Sequence, residues 1–522
     1  MTETRLTVGA LLVQAAQAWP DRPALRFGDR EASHAALLEE VRLCARALIA
    51  AGIGPGDRVG LFLPNGWACV VVMHALGMIG ATAVTLNARL RVDDLRFAIR
   101  KARLRALFSA DAPPFDGLSR VASALSDLPD LPVVDAGEGF AAFLGTGAEI
   151  PQAQLDQVAA TVNPEDDWLI MFSSGTTADP KACRLSHRAV ILSAAGMAAR
   201  FGIGPDDRFW DPLPLFHMST ILPMTACRLQ GACFIGVAHF DAGPALAEIE
   251  ATRATIAYPA FPTLMADLIA HPDYAQRDLS AVRLTLAVGP PDLLRRFQAA
   301  WPQARQVSCY GLTEAGGLSC YNRPDDEPER RMTSAGRPID GMSVRVADPD
   351  SGRILGPGQP GEIQLKGETL FSGYFDDPVQ TAAAMTPDGW LRTGDLGRLS
   401  VSGDVTYVGR LKDMLRVGGE NVAAAEIEGF LATHPAIKLA QVIGVPDPVL
   451  EEVPAAFVEL EPGAALTAQD IVEYCRDRIA RFKVPRHVRI VTAWPMSATK
   501  IQKFRLKQDF VAGSGADSAP AP

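Results

Sequence analysis

Trp168-Leu169-Ile170-Met171-Phe172 leads directly into Ser173-Ser174-Gly175-Thr176-Thr177-Ala178-Asp179-Pro180-Lys181. The run of large apolar residues reads as a buried strand. The residues after it combine small hydroxyls, a glycine that lets backbone N–H groups approach an anion, and one ammonium. Together they form a cradle for polyphosphate, and ATP is the guest it suggests. The usual phosphate loop is excluded, because it needs a glycine N–H just before its lysine and Pro180 has none. Beyond the cradle, Leu185-Ser186-His187 and then Ala189-Val190-Ile191-Leu192 read as a helix entered through a Ser186 cap. The loop is therefore expected between strand and helix, at the carboxyl end of the strand, where α/β folds hold ligands. Lysine is scarce here, nine against 41 arginines, so Lys181 is an informative choice of cation.

A chain of 522 residues is too long for one hydrophobic core, and more than one domain is expected. Hydrophobics at 48% and charged residues at 21% describe an ordinary globular protein. A net charge of -10 argues against nucleic acid or an anionic membrane as partner. The eight cysteines form no CxxC pair, which speaks against a zinc site or a secreted disulfide framework and suits a reducing, cytoplasmic setting. No signal peptide is read at the start. Trp67 to Leu86 is apolar enough to resemble a membrane span. Gly77 and Gly80 punctuate it, His74 interrupts it, and Thr82-Ala83-Val84-Thr85-Leu86 is strand-like, so it reads as a buried helix and then a strand, with no membrane span.

Strand-like runs at Gly60-Leu61-Phe62-Leu63, Thr255-Ile256-Ala257-Tyr258 and Leu284-Thr285-Leu286-Ala287-Val288 alternate with helical periodicity, the pattern of a layered α/β architecture. From about Asp340, short strands separated by Gly/Pro/Asp turns indicate a β-rich subdomain. A smaller unit begins near Gly409-Arg410-Leu411-Lys412-Asp413. It carries a helix over Ala424 to Leu431, strands over Lys438 to Val445 and Ala455 to Leu460, and a helix over Thr467 to Arg481. The division is residues 1–409, 410–510 and a tail, 511–522, too small and polar to pack and so expected to be disordered.

Other motifs fit a nucleotide. Tyr310-Gly311-Leu312-Thr313-Glu314 offers a flat ring for adenine, a glycine for close approach, a Thr313 hydroxyl for the α-phosphate and a Glu314 carboxylate for Mg²⁺. In Thr393-Gly394-Asp395-Leu396 a carboxylate follows a glycine turn, which alone reads as an ordinary turn. Arg410 can reach ribose or phosphate with a fixed fork.

With these motifs in this order, from about Leu11 to Lys507, the chain resembles the adenylate-forming superfamily of acyl-CoA synthetases, peptide-synthetase adenylation domains and firefly-type luciferases. The resemblance implies a large N-terminal α/β domain, a small C-terminal α+β domain, and an active site between them. It implies that Ser173, Ser174, Gly175, Thr176, Thr177, Lys181, Gly289, Tyr310, Gly311, Asp395 and Arg410 bind ATP or AMP. Lys412 matches the hinge about which the small domain turns between two half-reactions, and Gly418-Gly419-Glu420 lies near the pantetheine path of coenzyme A. The catalytic lysine maps to Lys500, whose ammonium is suited to bridge the attacking carboxylate and the α-phosphate as charge develops. A glycine usually precedes that lysine; here Thr499 stands in its place, so the loop is expected to be tighter, or Lys503 to contribute. Ala178 and Ala182 likewise stand where glycines are usual, which is tolerable where φ is negative. Ser497-Ala498-Thr499-Lys500 also fits a serine β-lactamase pattern, but the companion motifs are missing.

Leu213-Pro214-Leu215-Phe216-His217-Met218 matches the segment facing the acyl group. Amino-acid-activating relatives carry an aspartate there; this chain has His217 after Phe216, so an uncharged acyl tail is expected. Phe216, Met218, Tyr258, Phe261, Ala287 and Gly289 are expected to line the pocket, with His217, Thr313, Glu314 and Lys500 as catalytic candidates. The expected reaction joins a fatty, aryl or ring carboxylic acid to coenzyme A through acyl-AMP. Transfer to a carrier-protein phosphopantetheine and a non-catalytic adenylate-binding protein are the alternatives, and a homodimer is compatible with the sequence.

Overall fold

Apolar strands too short to fold alone are assembled into two large mixed sheets. The structure, a computed structural model, describes residues 7–126, 130–173, 180–418, 420–476, 478–496 and 501–512. Among them, the first sheet runs Gly373–Tyr374, Lys181–Ser186, Asp167–Ser173, Thr82–Thr85, Arg58–Phe62, Ala106–Ser109, Val133–Asp135. From Asp167–Ser173 outward to Val133–Asp135 the strands are parallel. Lys181–Ser186 turns back antiparallel beside Asp167–Ser173, pairing Lys181 with Ser173. This corrects one expectation: the segment expected to cradle polyphosphate, of which 174–179 lie outside the described residues, comes between two antiparallel strands and not between a strand and a helix. The second strand is hidden in the sequence because Ala182, Cys183 and Leu185 are all buried, so no alternation marks it. The helix His187–Phe201 follows where expected, with the Ser186 hydroxyl accepting from the Ala189 amide at 3.1 Å. Ala182 has no positive φ, which answers for one missing glycine.

The second sheet orders Arg305–Val307, Leu284–Ala287, Ile256–Ala260, Arg208–Asp211, Cys233–Gly236, Pro23–Phe27 and Arg30–Ser33. All but the last are parallel. Their carboxyl ends deliver the segments carrying His217, Phe261, Gly289 and Tyr310 to one edge, as expected of ligand sites in α/β sheets. The apolar run near the start is the helix Trp67–Met78, buried along its length, and then Thr82–Thr85. Gly77 does not punctuate it. A Cβ there would stand 2.4 Å from Val8 and 2.7 Å from Trp168, so the glycine makes room for that ring. No helix among the described residues is long and apolar enough to cross a membrane.

A four-stranded antiparallel sheet, Met342–Ala347, Gly361–Gly367, Leu391–Leu399 and Val405–Arg410, forms the β-rich subdomain. Arg410 ends its last strand, and the single turn Leu411–Asp413 follows it. The small domain then builds its own core around Ile427, Leu431, Val442, Val458 and Ile471. Two further expectations change there. The helix expected to reach Arg481 spans Ala468–Cys475 and stops where Arg476 turns extended. Val511 and Ala512 belong to the helix Lys503–Ala512, so only 513–522, outside the described residues, remain of the predicted tail. Lys438 pairs with Asp267 at 3.3 Å and Arg296 with Glu461 at 3.3 Å across the seam between the domains.

Burial leaves three imidazoles neutral. His34, His74 and His187 are at most 2% exposed, and burial depresses them to about 3, 4 and 3, with Arg228 adding to the first two. Each takes up a proton on unfolding near pH 6.5 but not while folded, so stability is full above pH 6.5 and falls as pH drops toward those values. The slope is about 1.4 kcal/mol per pH unit for each group. Thermal melts at pH 7 and pH 5 are expected to show a clear loss at pH 5; equal melting temperatures would contradict neutral buried imidazoles.

Candidate active site

Tyr310, Asp395 and Arg410 form one connected group. Gly394, at φ 68°, kinks the strand Leu391–Leu399 and sets Asp395 opposite Arg410 in the neighbouring strand. The Asp395 carboxylate accepts the Tyr310 hydroxyl at 2.8 Å and pairs with Arg410 Nε at 2.7 Å, while its backbone N–H donates to the Thr393 hydroxyl at 3.1 Å. Burial, and then the Asp395 charge, keep the Tyr310 hydroxyl protonated far above its ordinary range. Tyr310 is only 5% exposed, and Tyr407 stacks on it with centroids 6.2 Å apart and planes at 27°. At 45% exposure, Tyr407 presents the open ring beside Asp395 and Arg410. The expected adenine platform is thus mostly covered, and its cover is a residue that sequence reasoning misses.

Glu314 and Lys181 meet through another such residue. Thr313–Ala315 is a single 3-10 turn, and the Glu314 carbonyl accepts the Phe371 amide at 2.9 Å. Its carboxylate accepts the Tyr374 hydroxyl at 2.9 Å, and Lys181 Nζ lies 4.9 Å above the centre of the same Tyr374 ring. Tyr374 reaches this place because Gly373–Tyr374 extends the hairpin, pairing with Cys183 and Arg184. The glycine expected to let a ligand approach, Gly311, serves the chain itself, since a Cβ there would stand 2.1 Å from the Gly317 carbonyl oxygen. Ser173 closes its strand; Ser174, Gly175, Thr176, Thr177 and Lys500 lie outside the described residues. Among the described residues no three His, Cys, Asp or Glu side chains gather to hold a metal. A lone Glu314 suits Mg²⁺, which keeps several waters and binds through one or two carboxylates plus substrate phosphates. Tyr374→Phe removes the hydrogen bond that holds the Glu314 carboxylate in place, so the KM for ATP should rise about tenfold, with a stability loss of about 1–3 kcal/mol beside it. Steady-state kinetics at varied ATP measures this; an unchanged KM would remove Tyr374 from the site.

On the acyl side the structure brings some expected residues together and separates others. Asn65 clamps the segment before His217, donating to the Leu213 carbonyl at 2.8 Å and accepting the Leu215 amide at 2.8 Å. His217 is half-buried at the start of the helix Met218–Gln230, its ring 4.9 Å from that of Phe216. Phe261 caps the helix Pro262–Ala270. Tyr258 is 1% exposed and packs against Phe209 in the core. Ala287 points to the opposite face of that sheet, among Met265, Leu268 and Leu294, so it shares no wall with Tyr258. Gly289 has ordinary space around it, with nothing nearer than 3.5 Å to a built Cβ.

Lys412 occupies the turn Leu411–Asp413 between the β-rich sheet and the small domain. Burial, with Arg410 and Lys503 adding to it, lowers its ammonium below the ordinary range. Gly418, whose N–H donates to the Leu450 carbonyl at 2.9 Å, ends one arm of a hairpin in which Val417 pairs with Glu420; Gly419 lies outside the described residues. Lys503, the expected helper of Lys500, is held by Glu428 at 2.6 Å. A separate cleft of about 700 Å³ opens at the amino-terminal ends of the first sheet's strands, beside Arg58, Thr82 and Asp167, away from all these residues.

Comparison with known proteins identifies the family. Residues 12–375 match the model of the AMP-binding enzyme family, and residues 426–500 that of the AMP-binding enzyme C-terminal domain. A ligase of Mycobacterium tuberculosis named for 3-[(3aS,4S,7aS)-7a-methyl-1,5-dioxo-octahydro-1H-inden-4-yl]propanoyl:CoA is 37% identical over 96% of this chain and 98% of its own. A ligase of the same name from Rhodococcus jostii is 34% identical over 98% of this chain and 100% of its own. The crystal structure of the anthranilate CoA ligase AuaEII with anthranoyl-AMP superposes with a TM-score of 0.89 at 28% identity, covering 98% of each chain. The chain belongs to the AMP-binding enzyme family, as an acid–thiol ligase of the acyl-CoA synthetase kind.

Proposed function

We propose that the protein activates a carboxylic acid whose acyl tail is ring-bearing and uncharged, of the type named in its two ligase relatives, and passes it to coenzyme A. The observation that carries this reading is the linkage of Tyr310, Asp395 and Arg410 at one end of the site and Glu314, Tyr374 and Lys181 at the other. The first group suits a nucleoside, with an acceptor for ribose hydroxyls and an exposed ring; the second suits a polyphosphate. In the first half-reaction a substrate carboxylate oxygen attacks the α-phosphorus of ATP, and the bond to the β-phosphate oxygen breaks to release pyrophosphate. Lys181 holds the departing phosphates, and Lys500 offsets the charge gathered around the α-phosphorus. Glu314 would hold Mg²⁺, which neutralises phosphate charge when bound. In the second half-reaction the thiolate of coenzyme A attacks the acyl carbonyl, and AMP leaves. Turning of the small domain about Lys412 exchanges the Lys500 face for the Gly418-Gly419-Glu420 face. Phe216 and His217 supply an entrance to the acyl site that carries no carboxylate.

Pyrophosphate release and acyl-CoA formation, measured over fused-ring propanoic acids, aryl acids and straight-chain acids, test the reading. Highest kcat/KM with the ring acids supports it; a preference for straight chains refutes the substrate class, and no pyrophosphate release with any acid refutes the reaction.

A further inference from the structure

Glu428 stands on the helix Ala424–Leu431 with only 14% of its side chain exposed. One of its oxygens accepts the Val442 amide at 2.7 Å and meets Lys503 Nζ at 2.6 Å. A carboxylate so placed is rigid, because it is tied to the strand Ile437–Asp447 by backbone as well as by charge. Lys503 is the first residue of the helix Lys503–Ala512. Immediately before it the chain is closed on itself: Met496 bridges Ile501 antiparallel, and the Gln502 amide donates to the Pro495 carbonyl at 2.8 Å. This bridge and hydrogen bond end at Gln502, the residue next to Lys503.

The pair also faces the nucleotide residues. Lys503 lies near enough to Lys412 to add to the lowering of its ammonium, and Glu428 near enough to Tyr407 to help keep that hydroxyl protonated. A long, flexible ammonium three residues past Lys500 could otherwise compete for the same phosphate charge. Pairing with a buried carboxylate removes it from that competition and fixes the chain at one point.

We propose that the Glu428–Lys503 ion pair is a positioning device for adenylate formation, anchoring the base of the segment that carries Lys500. The inference rests on the proposed role of Lys500 and goes beyond it by naming what holds that lysine in place. Neither Glu428 nor Lys503 touches the reacting atoms. Loss of the pair lets the segment's base shift, and misplacement by about 1 Å costs up to about 100-fold in rate.

Two variants of the full-length protein separate the pair from a general structural role. Glu428→Gln keeps an acceptor for the Val442 amide and loses the charge; Lys503→Met loses the ammonium and keeps the stem. Each is expected to slow single-turnover pyrophosphate release about 10- to 100-fold, with the KM for the acid unchanged. Conversion of supplied acyl-adenylate and coenzyme A to thioester should stay within about twofold, because the role proposed for Lys500 is confined to the first half-reaction. Lys503→Arg should restore pyrophosphate release, since arginine keeps the charge. Equal losses in both half-reactions, or no loss in either, overturn the inference. Lys500→Ala run alongside assigns the failure: if it abolishes pyrophosphate release while Glu428→Gln and Lys503→Met do not, the positioning role alone is wrong. If Lys500→Ala leaves release intact, the role of Lys500 falls and the inference with it.

Discussion

Lys500→Ala should reduce adenylate formation by about 100- to 1,000-fold, the range seen when a single group stabilising transition-state charge is removed. The substrate acid is already ionised at neutral pH, so no general base is lost with the lysine. On the proposed role, what is lost is an ammonium opposing the charge that builds up as a carboxylate oxygen approaches the α-phosphorus. Two other cations near the site are committed elsewhere. Arg410 is paired with Asp395, and Lys503 with Glu428. Neither is placed to substitute without breaking an ion pair. The loss should therefore appear in kcat and kcat/KM together, as for an interaction made mainly in the transition state. Thioester formation from supplied acyl-adenylate should proceed as in the parent protein. Rapid-quench measurement of pyrophosphate, beside a coenzyme A thioester assay on the preformed adenylate, makes the comparison. Equal loss in both assays would assign Lys500 to the fold or to both steps, contrary to the division proposed above.

Much of this site is local in the chain and so is legible in the sequence alone. Gly394-Asp395 and Tyr310-Gly311-Leu312-Thr313-Glu314 each carry their chemistry within five residues. So does the strand before the polyphosphate loop, because a run of large apolar residues has one reading when a hydroxyl-rich turn follows it. What stays hidden is what strand pairing brings from afar. Tyr374 lies nearly two hundred residues from Lys181 and reaches it only through the pairing of Tyr374 with Cys183. Tyr407 reads as an ordinary strand residue until the register of Leu391–Leu399 with Val405–Arg410 puts it over Tyr310. Ala287 is misleading for another reason. Both faces of its sheet are buried, so Leu284-Thr285-Leu286-Ala287 contains no polar face from which direction could be read. The Glu428–Lys503 pair joins two helices of the small domain, and charge at either position reads equally well as a solvated surface.

The other large effect is expected at Asp395. Its side chain is 3% exposed, and it serves two partners at once, the Tyr310 hydroxyl and the Arg410 guanidinium. Asp395→Ala leaves the buried Tyr310 hydroxyl without its acceptor and Arg410 without its counter-charge. Leaving a buried hydroxyl unsatisfied costs about 1–3 kcal/mol. Arg410 is 40% exposed, and water recovers part of its charge, so the stability loss should stay near that of the hydroxyl alone. Binding should suffer more. If ribose donates to Asp395, as proposed, losing two charge-assisted hydrogen bonds at about 1.5–3 kcal/mol each weakens ATP binding by at least about 100-fold. Asp395→Asn divides the two effects, because its single carbonyl oxygen can still accept from Tyr310 while its amide no longer attracts Arg410 or accepts from ribose. The asparagine variant should therefore melt close to the parent yet bind ATP nearly as poorly as the alanine variant. Isothermal titration with ATP and thermal melts on both variants read the two quantities separately. Retention of parental ATP affinity by the asparagine variant would show that the carboxylate holds Tyr310 and Arg410 together without touching the nucleotide.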